Sequence, residues 1–248
     1  MHINHNIKSE NYDERKGNIP VSILVLHYTA LNFEGSVEVL CNTDTKNRVS
    51  SHYLLRKDGQ VFELVDTANR AWHAGSGCWK GITDVNSASV GIEIEQLGYN
   101  DEGIMEPYTE EQMVSLIELS QILIAKFNIS STCVVGHSDI APGRKLDPGA
   151  LDWKRLAKEG VGFWLENYGA DLTFPEIKFG DHSDHVRQLQ QDLSDYGYEL
   201  SLDGIYGKET FNVIKGFQRH FYPEKIDGVS NNHMRTILKK MNETKPAV

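Results

Sequence analysis

A chain of 248 residues with 40% hydrophobic content and four Trp has material for one large globular unit or two smaller ones. Its net charge of -10 excludes a general affinity for nucleic acid or anionic lipid and leaves room only for local basic patches. The three cysteines, Cys41, Cys78 and Cys133, form no CxxC pair, and their odd number excludes a fully paired disulfide scaffold.

No segment is apolar over a length that crosses a bilayer. Residues 1–18, MHINHNIKSENYDERKGN, are polar and lack the apolar stretch of a signal peptide, so they read as a solvated segment carrying His2 and His5. VSILVLHYTA, Val21 to Ala30, is a continuous apolar run that fits a strand buried on both faces, its apolar part ending at His27. SSHYLLRKDGQVFELV reads as a hairpin, with strands Ser51–Leu55 and Val61–Val65 about an Asp58-Gly59 turn. ASVGIEIEQLG, Ala88 to Gly98, alternates Val90, Ile92 and Ile94 with Gly91, Glu93 and Glu95, as a further strand does.

A helix follows. Thr109 and Gln112 form a capping box, and Met113, Leu116, Ile117, Leu123, Ile124 and Phe127 recur at helical spacing. Cys133 opens the apolar run CVV and reads as a buried strand residue, with a nucleophilic role as the lesser reading. That strand ends at His137 and passes into HSDIAPGRKLDPG, where Pro142, Gly143, Pro148 and Gly149 exclude a continuous helix. LDWKRLAKEG is a short helix closed by Gly160. Three further amphipathic stretches, HSDHVRQLQQDLSDYGYEL, KETFNVIKGFQRHF and VSNNHMRTILKKM, form a small bundle, and no internal repeat is evident. Its histidines, His182, His185, His220 and His233, read as solvated.

The expected architecture is α/β, a mixed central sheet flanked by helices, followed by a small all-α unit. The boundaries are a polar segment at 1–18, a catalytic domain at 19–166, a linker at 167–179 and a three-helix domain at 180–243.

His27 and His137 each end an apolar strand, and Asp147 lies ten residues beyond His137, past a Pro-Gly turn that can fold it back. Two His and one carboxylate make the ligand set of a catalytic zinc site whose fourth position holds water. Glu93, facing away from Ile92 and Ile94, is placed for general-base work, and Lys145 for charge stabilisation at an oxyanion. Each also has an ordinary reading, as a core histidine, a paired carboxylate or a solvated lysine, and spacing alone leaves both open.

LVLHYTA, SSHYLLRKDGQVFELV, RAWHAG, SVGIEIE and VVGHSDIAPGRKLDPGALDW, in this order over roughly residues 17–165, resemble the zinc N-acetylmuramoyl-L-alanine amidases of the AmpD/AmiD type. That group is related to the peptidoglycan recognition proteins and to T7-type lysozyme. The bundle resembles the three-helix peptidoglycan-binding domain, although its connection near HFYPEKIDG departs from the usual pattern and leaves open a role in docking or stability alone. The appended domain favours the AmiD-like branch.

The resemblance implies Zn2+ held by His27, His137 and Asp147, with Glu93 as catalytic acid/base and Lys145 as second catalytic residue. It implies cleavage of the amide between N-acetylmuramic acid, normal or 1,6-anhydro, and L-alanine, with peptidoglycan or muropeptides as partner and no nucleic acid. Trp72, His73, His52 and Arg144 are expected near substrate. Glu95 reads as a supporting or surface carboxylate. The family points to the cell envelope, with the cytoplasm as the alternative because no signal peptide is seen. The competing reading, from a different class, is a peptidoglycan recognition module without catalysis. Glycoside cleavage fits less well, because it calls for two opposed carboxylates and only Glu93 stands out.

Overall fold

The structure is a computed structural model in which residues 1–166, 169 and 172–245 are described. In chain order the elements are β1 (Ile3–Asn4), β2 (Tyr12–Glu14), β3 (Ile23–Tyr28), α1 (Phe33–Cys41), β4 (Tyr53–Leu55), β5 (Val61–Glu63) and β6 (Asn69–Ala71). The single turn α2 (Val85–Ala88), β7 (Ser89–Ile94), α3 (Glu110–Phe127), β8 (Val134–Gly136), a second single turn α4 (His137–Ile140) and α5 (Trp153–Lys158) follow. Helices α6 (Asp184–Tyr196), α7 (Lys208–Phe221) and α8 (Asn232–Thr244) end the chain.

Six strands make a mixed sheet in the order β1-β5-β4-β7-β3-β8, with β4 and β7 at its centre and β3 between β7 and the edge strand β8. Strand β3 pairs in parallel with both β7 and β8, which explains its unbroken apolar run: Ile23, Leu24, Val25 and Leu26 are fully buried. The expected hairpin is present as β4 and β5, shorter than the sequence suggests, because the backbone leaves the ladder before Val65. The capping box at Thr109 and Gln112 starts α3, and Asn128 in a left-handed conformation ends it. Cys133 is buried, in a short 3-10 turn ahead of β8 rather than within the strand.

The N-terminal segment is not a solvated tail. Strand β1 extends the main sheet beside β5, and β2 pairs with β6 in a separate two-stranded sheet. The Arg15 guanidinium reaches inward to the carbonyl oxygens of Thr67 at 2.9 Å, Ser87 at 2.8 Å and Ser89 at 3.0 Å. At Ser9, Asn11 and Arg15 polarity signals hydrogen bonding to backbone, while most of the remaining residues of this segment are exposed. His5 does remain at the surface, beside Glu63.

The C-terminal helices pack Val186, Leu189, Leu193, Val213, Phe217, Met234 and Leu238 into an apolar cluster that is continuous with the sheet's core. An internal repeat, unexpected from the sequence, joins these helices. Gln190 on α6 donates to Asp203 Oδ1 at 2.8 Å and accepts from the Gly204 amide at 2.8 Å. Gln218 on α7 does the same with Asp227 Oδ1 at 3.1 Å and the Gly228 amide at 2.8 Å. The IDG connection is therefore a second copy of the LDG loop, and the repeat is hidden because it is carried by one Gln and one Asp-Gly pair. Part of the expected linker at 167–179, namely 167, 168, 170 and 171, lies outside the described residues. No helix among the described residues is long and apolar enough to cross a membrane.

Candidate active site

His27 and Glu93 are direct neighbours in the register of β3 and β7, so both side chains leave the same face of the sheet. Strand β8, on the other side of β3, ends at Gly136 and turns into α4, which places His137 beside His27. Asp147 returns to this point after the Gly143 turn, where its carbonyl accepts the Ser138 amide at 2.9 Å. The expected shaped loop is thus present, opened by one helical turn that the sequence reading did not anticipate.

Three donor atoms converge. His27 Nδ1 and His137 Nδ1 are 2.9 Å apart, and Asp147 Oδ2 lies 3.0 Å from the first and 2.9 Å from the second. All three residues are buried and form the His/Asp group whose spacing suits a metal ion. Proton placement around the rings sharpens this. The Ser89 hydroxyl is 2.6 Å from the Val85 carbonyl and 3.2 Å from His73 Nε2, so its one hydrogen goes to the carbonyl and its oxygen accepts from His73. His73 Nδ1 then carries a lone pair, and accepts His27 Nε2–H at 3.0 Å. His27 is left with a bare Nδ1 facing the cluster. His137 Nε2 faces the Ala74 carbonyl at 3.2 Å, which calls for its hydrogen on Nε2 and leaves Nδ1 toward the cluster. Two imidazole lone pairs and a carboxylate oxygen aimed at one point repel one another unless a cation sits among them, and this donor set fits a divalent metal.

The electrostatics agree. Burial, reinforced by the adjacent His137, lowers His27 to about 4, so the ring is neutral at physiological pH. Glu93 is opposite in character. Burial and then the charge of Asp147 push it up to about 8, with Lys145 opposing. Its Oε2 is buried without a hydrogen-bond partner.

A cleft of about 370 Å³ opens over these groups, lined among others by Tyr28, Trp72, Glu93, Arg144, Lys145 and Asp147. Neither the Arg144 nor the Lys145 side chain has an ion-pair partner among the described residues, and both are exposed. Trp72 is half-buried, with its indole N–H on Asp13 at 2.8 Å. A larger cleft of about 900 Å³ follows the seam between the sheet domain and α7, sharing Arg144 but none of the three converging residues.

One expectation is corrected. His52 does not line the cleft. It is fully buried under β7, where its Nδ1 accepts the Gly91 amide at 3.0 Å and its Nε2 faces the Asn69 carbonyl at 3.2 Å. It is a strut between strands, with no atom left for substrate. His73 lines the cleft as expected, although it is only 7% exposed and both of its ring nitrogens are engaged, by His27 and Ser89. Gly91 makes room for it: a Cβ there would stand 2.5 Å from the His73 ring. Glu95 is buried and accepts the amides of Phe33 at 3.0 Å and Lys57 at 2.8 Å, joining α1 to the hairpin. Ser89 was the residue that sequence reasoning missed, because a lone Ser at a strand start carries no signal.

A mixed sheet with two histidines and an aspartate converging at its C-terminal edge, beside a desolvated glutamate, has the form of a hydrolase site whose donor set could hold a metal ion. Residues 17–150 match the N-acetylmuramoyl-L-alanine amidase family and residues 182–238 a peptidoglycan binding domain family. The chain is 34% identical to the N-acetylmuramoyl-L-alanine amidase AmiD of Escherichia coli K12, over 90% of this chain and 83% of that protein. It is 33% identical to the 1,6-anhydro-N-acetylmuramyl-L-alanine amidase AmpD of Haemophilus influenzae, over 60% of this chain and 88% of that one. The solved structure of the E. coli AmiD complex with its substrate anhydro-N-acetylmuramic acid-L-Ala-D-gamma-Glu-L-Lys superimposes with a TM-score of 0.78 at 31% identity, covering 95% of this chain and 98% of that one. AmpDh3 of Pseudomonas aeruginosa bound to an anhydromuramic pentapeptide gives a TM-score of 0.77 at 31% identity, with each chain covered completely. The chain belongs to the N-acetylmuramoyl-L-alanine amidase family.

Proposed function

We propose that this protein hydrolyses the amide between the lactyl group of N-acetylmuramic acid, normal or 1,6-anhydro, and the L-alanine of the stem peptide, in the turnover or recycling of wall fragments. The observation that carries the reading is the convergence of His27 Nδ1, His137 Nδ1 and Asp147 Oδ2 beside the buried Glu93 carboxyl.

His27, His137 and Asp147 are the residues that would hold zinc. Bound there, zinc polarises an amide carbonyl and lowers the pKa of water toward ~7. Glu93 receives a proton from the attacking water and later delivers it to the leaving alanine nitrogen. Burial raises its pKa in the metal-free site, and a divalent cation bound beside it would offset part of that rise, leaving a basic carboxylate to take the first proton and an acid to return it. Lys145, unpaired on the cleft wall, places positive charge near the oxygen that becomes anionic. His73 and Ser89 keep the His27 ring in the tautomer with a free Nδ1. Trp72 offers a flat face to sugar or peptide, and Arg144 meets a stem-peptide carboxylate at the mouth of the cleft. The site of action is the cell envelope or the route by which its fragments return.

Mass spectrometry of a defined disaccharide-tetrapeptide, in normal and anhydro forms, tests this. Release of free disaccharide and intact peptide is the expected outcome, and cleavage at any other bond, or none by the zinc-loaded protein, contradicts it.

A further inference from the structure

Asp139 lies two residues beyond His137, at 1% exposure, and its carboxylate faces the C-terminal helices. Oδ1 accepts the Tyr198 hydroxyl at 2.6 Å. Oδ2 accepts His220 Nδ1–H at 2.7 Å and the Gly136 amide at 2.8 Å. Tyr198 follows α6 and His220 is on α7, whereas Gly136 is the residue immediately before His137. One carboxylate thus ties the two ends of α4 to two residues of the other unit. His220, expected to be solvated, is 2% exposed, with its ring stacked at 3.7 Å on Trp153 of α5 and at 3.7 Å on Phe221.

The helix that carries His137 has four residues, a single turn. Such a turn has almost no stability of its own and takes its geometry from what packs on it. Helix α7 is that support. It crosses α4 at Gly216, where a Cβ would stand 2.8 Å from the Ser138 carbonyl oxygen, so the approach is backbone to backbone. Tyr198 adds an edge-on contact with Trp79 at 5.0 Å, which fixes the hydroxyl on Asp139 from the opposite side.

We propose that the C-terminal helical unit is a working part of the metal centre. His220 and Tyr198 are positioning residues that hold Asp139, and through α4 they set where His137 Nδ1 points. This role is additional to the wall binding that the unit's family suggests, and it rests on the reading of His137 as a metal ligand.

The test uses the full chain and measures the zinc dissociation constant by chelator competition. His220→Phe keeps a stacking ring but deletes the donor to Asp139. The expected result is zinc binding weakened by about 10–100-fold, the range seen when a partner that orients a ligand is removed. Turnover number should fall with little change in KM. His220→Asn, which returns an N–H near the Nδ1 position, should bind zinc within about threefold of wild type. Gly216→Ala, which wedges α7 from α4, should weaken zinc binding in the same direction. Should His220→Phe not fold, Tyr198→Phe, which removes one oxygen, carries the measurement. A lowered melting temperature with an unchanged zinc constant in these variants would reduce the seam to ordinary packing and overturn the proposal. A wild-type protein that bound no zinc would overturn the metal site itself, and this inference with it.

Discussion

His27 and Glu93 stand directly opposite each other on parallel neighbouring strands, so a single pleat of the sheet brings a neutral imidazole and a desolvated carboxyl to one face, with Glu93 lining the cleft. This pairing divides the labour between a neutral nitrogen, with its pKa lowered to about 4, and an acid raised to about 8. Environments that push titratable groups apart in this way mark acid–base sites.

Replacing Glu93 with Gln should leave zinc bound and lower turnover by about 10²–10⁴-fold, the range for a general acid/base. Retention of more than a tenth of wild-type activity would remove Glu93 from that role.

The same substitution has a pH signature in the metal-stripped protein. The folded-state pKa of Glu93 is raised from 4.5 to about 8, so folding retains a proton that the unfolded chain releases. Stability from this group is therefore intact below pH 4.5 and declines as pH rises through the interval to about 8. Glu93→Gln should cancel the decline and gain on the order of 3 kcal/mol at pH 8, discounted for the side chain's partial exposure. Urea unfolding at pH 5 and pH 8 reads the difference, and parallel curves for the two proteins would refute it.

His73→Phe should weaken zinc binding by about 10–100-fold, because His27 loses the acceptor that fixes its tautomer. Gly91→Ala should do likewise by displacing the His73 ring, with a packing cost of about 1–3 kcal/mol. Competition titration with a chromogenic chelator measures the first, and thermal unfolding the second.

The adjacent cations Arg144 and Lys145 should separate kinetically. Arg144→Ala raises KM for a carboxylate-bearing muropeptide with turnover nearly unchanged, whereas Lys145→Ala lowers turnover with KM nearly unchanged. Steady-state kinetics on one defined substrate distinguishes the two, and identical profiles would merge their roles.

Arg15→Ala should cost about 3 kcal/mol or more, since the carbonyls of Thr67, Ser87 and Ser89 lose their common donor. Denaturant midpoints check this, and a change under 1 kcal/mol would return the N-terminal segment to the status of a loose tail.

The parts of this fold that were legible in the sequence are those with a repeating local signal. The buried run of β3, the alternation in β7 and the capping box of α3 are written in consecutive residues. The proposed ligands His27, His137 and Asp147 stood out because strand ends and a Pro-Gly loop frame them. What was not legible depends on contacts between distant residues. His52 and His73 are ordinary polar letters until β7 lays Gly91 across them. Arg15 looks solvated until its carbonyl acceptors are in place, and His220 looks like one of four scattered histidines until it meets Asp139, 81 positions away.

The most direct test of the account is a zinc titration of the metal-stripped full-length protein, with bound metal and release of peptide from a disaccharide-tetrapeptide followed together. The account predicts that hydrolysis rises with zinc and levels off at one equivalent, and that His137→Ala abolishes both the binding and the activity. Full hydrolysis by the metal-free protein, or activity in His137→Ala equal to wild type, would contradict it.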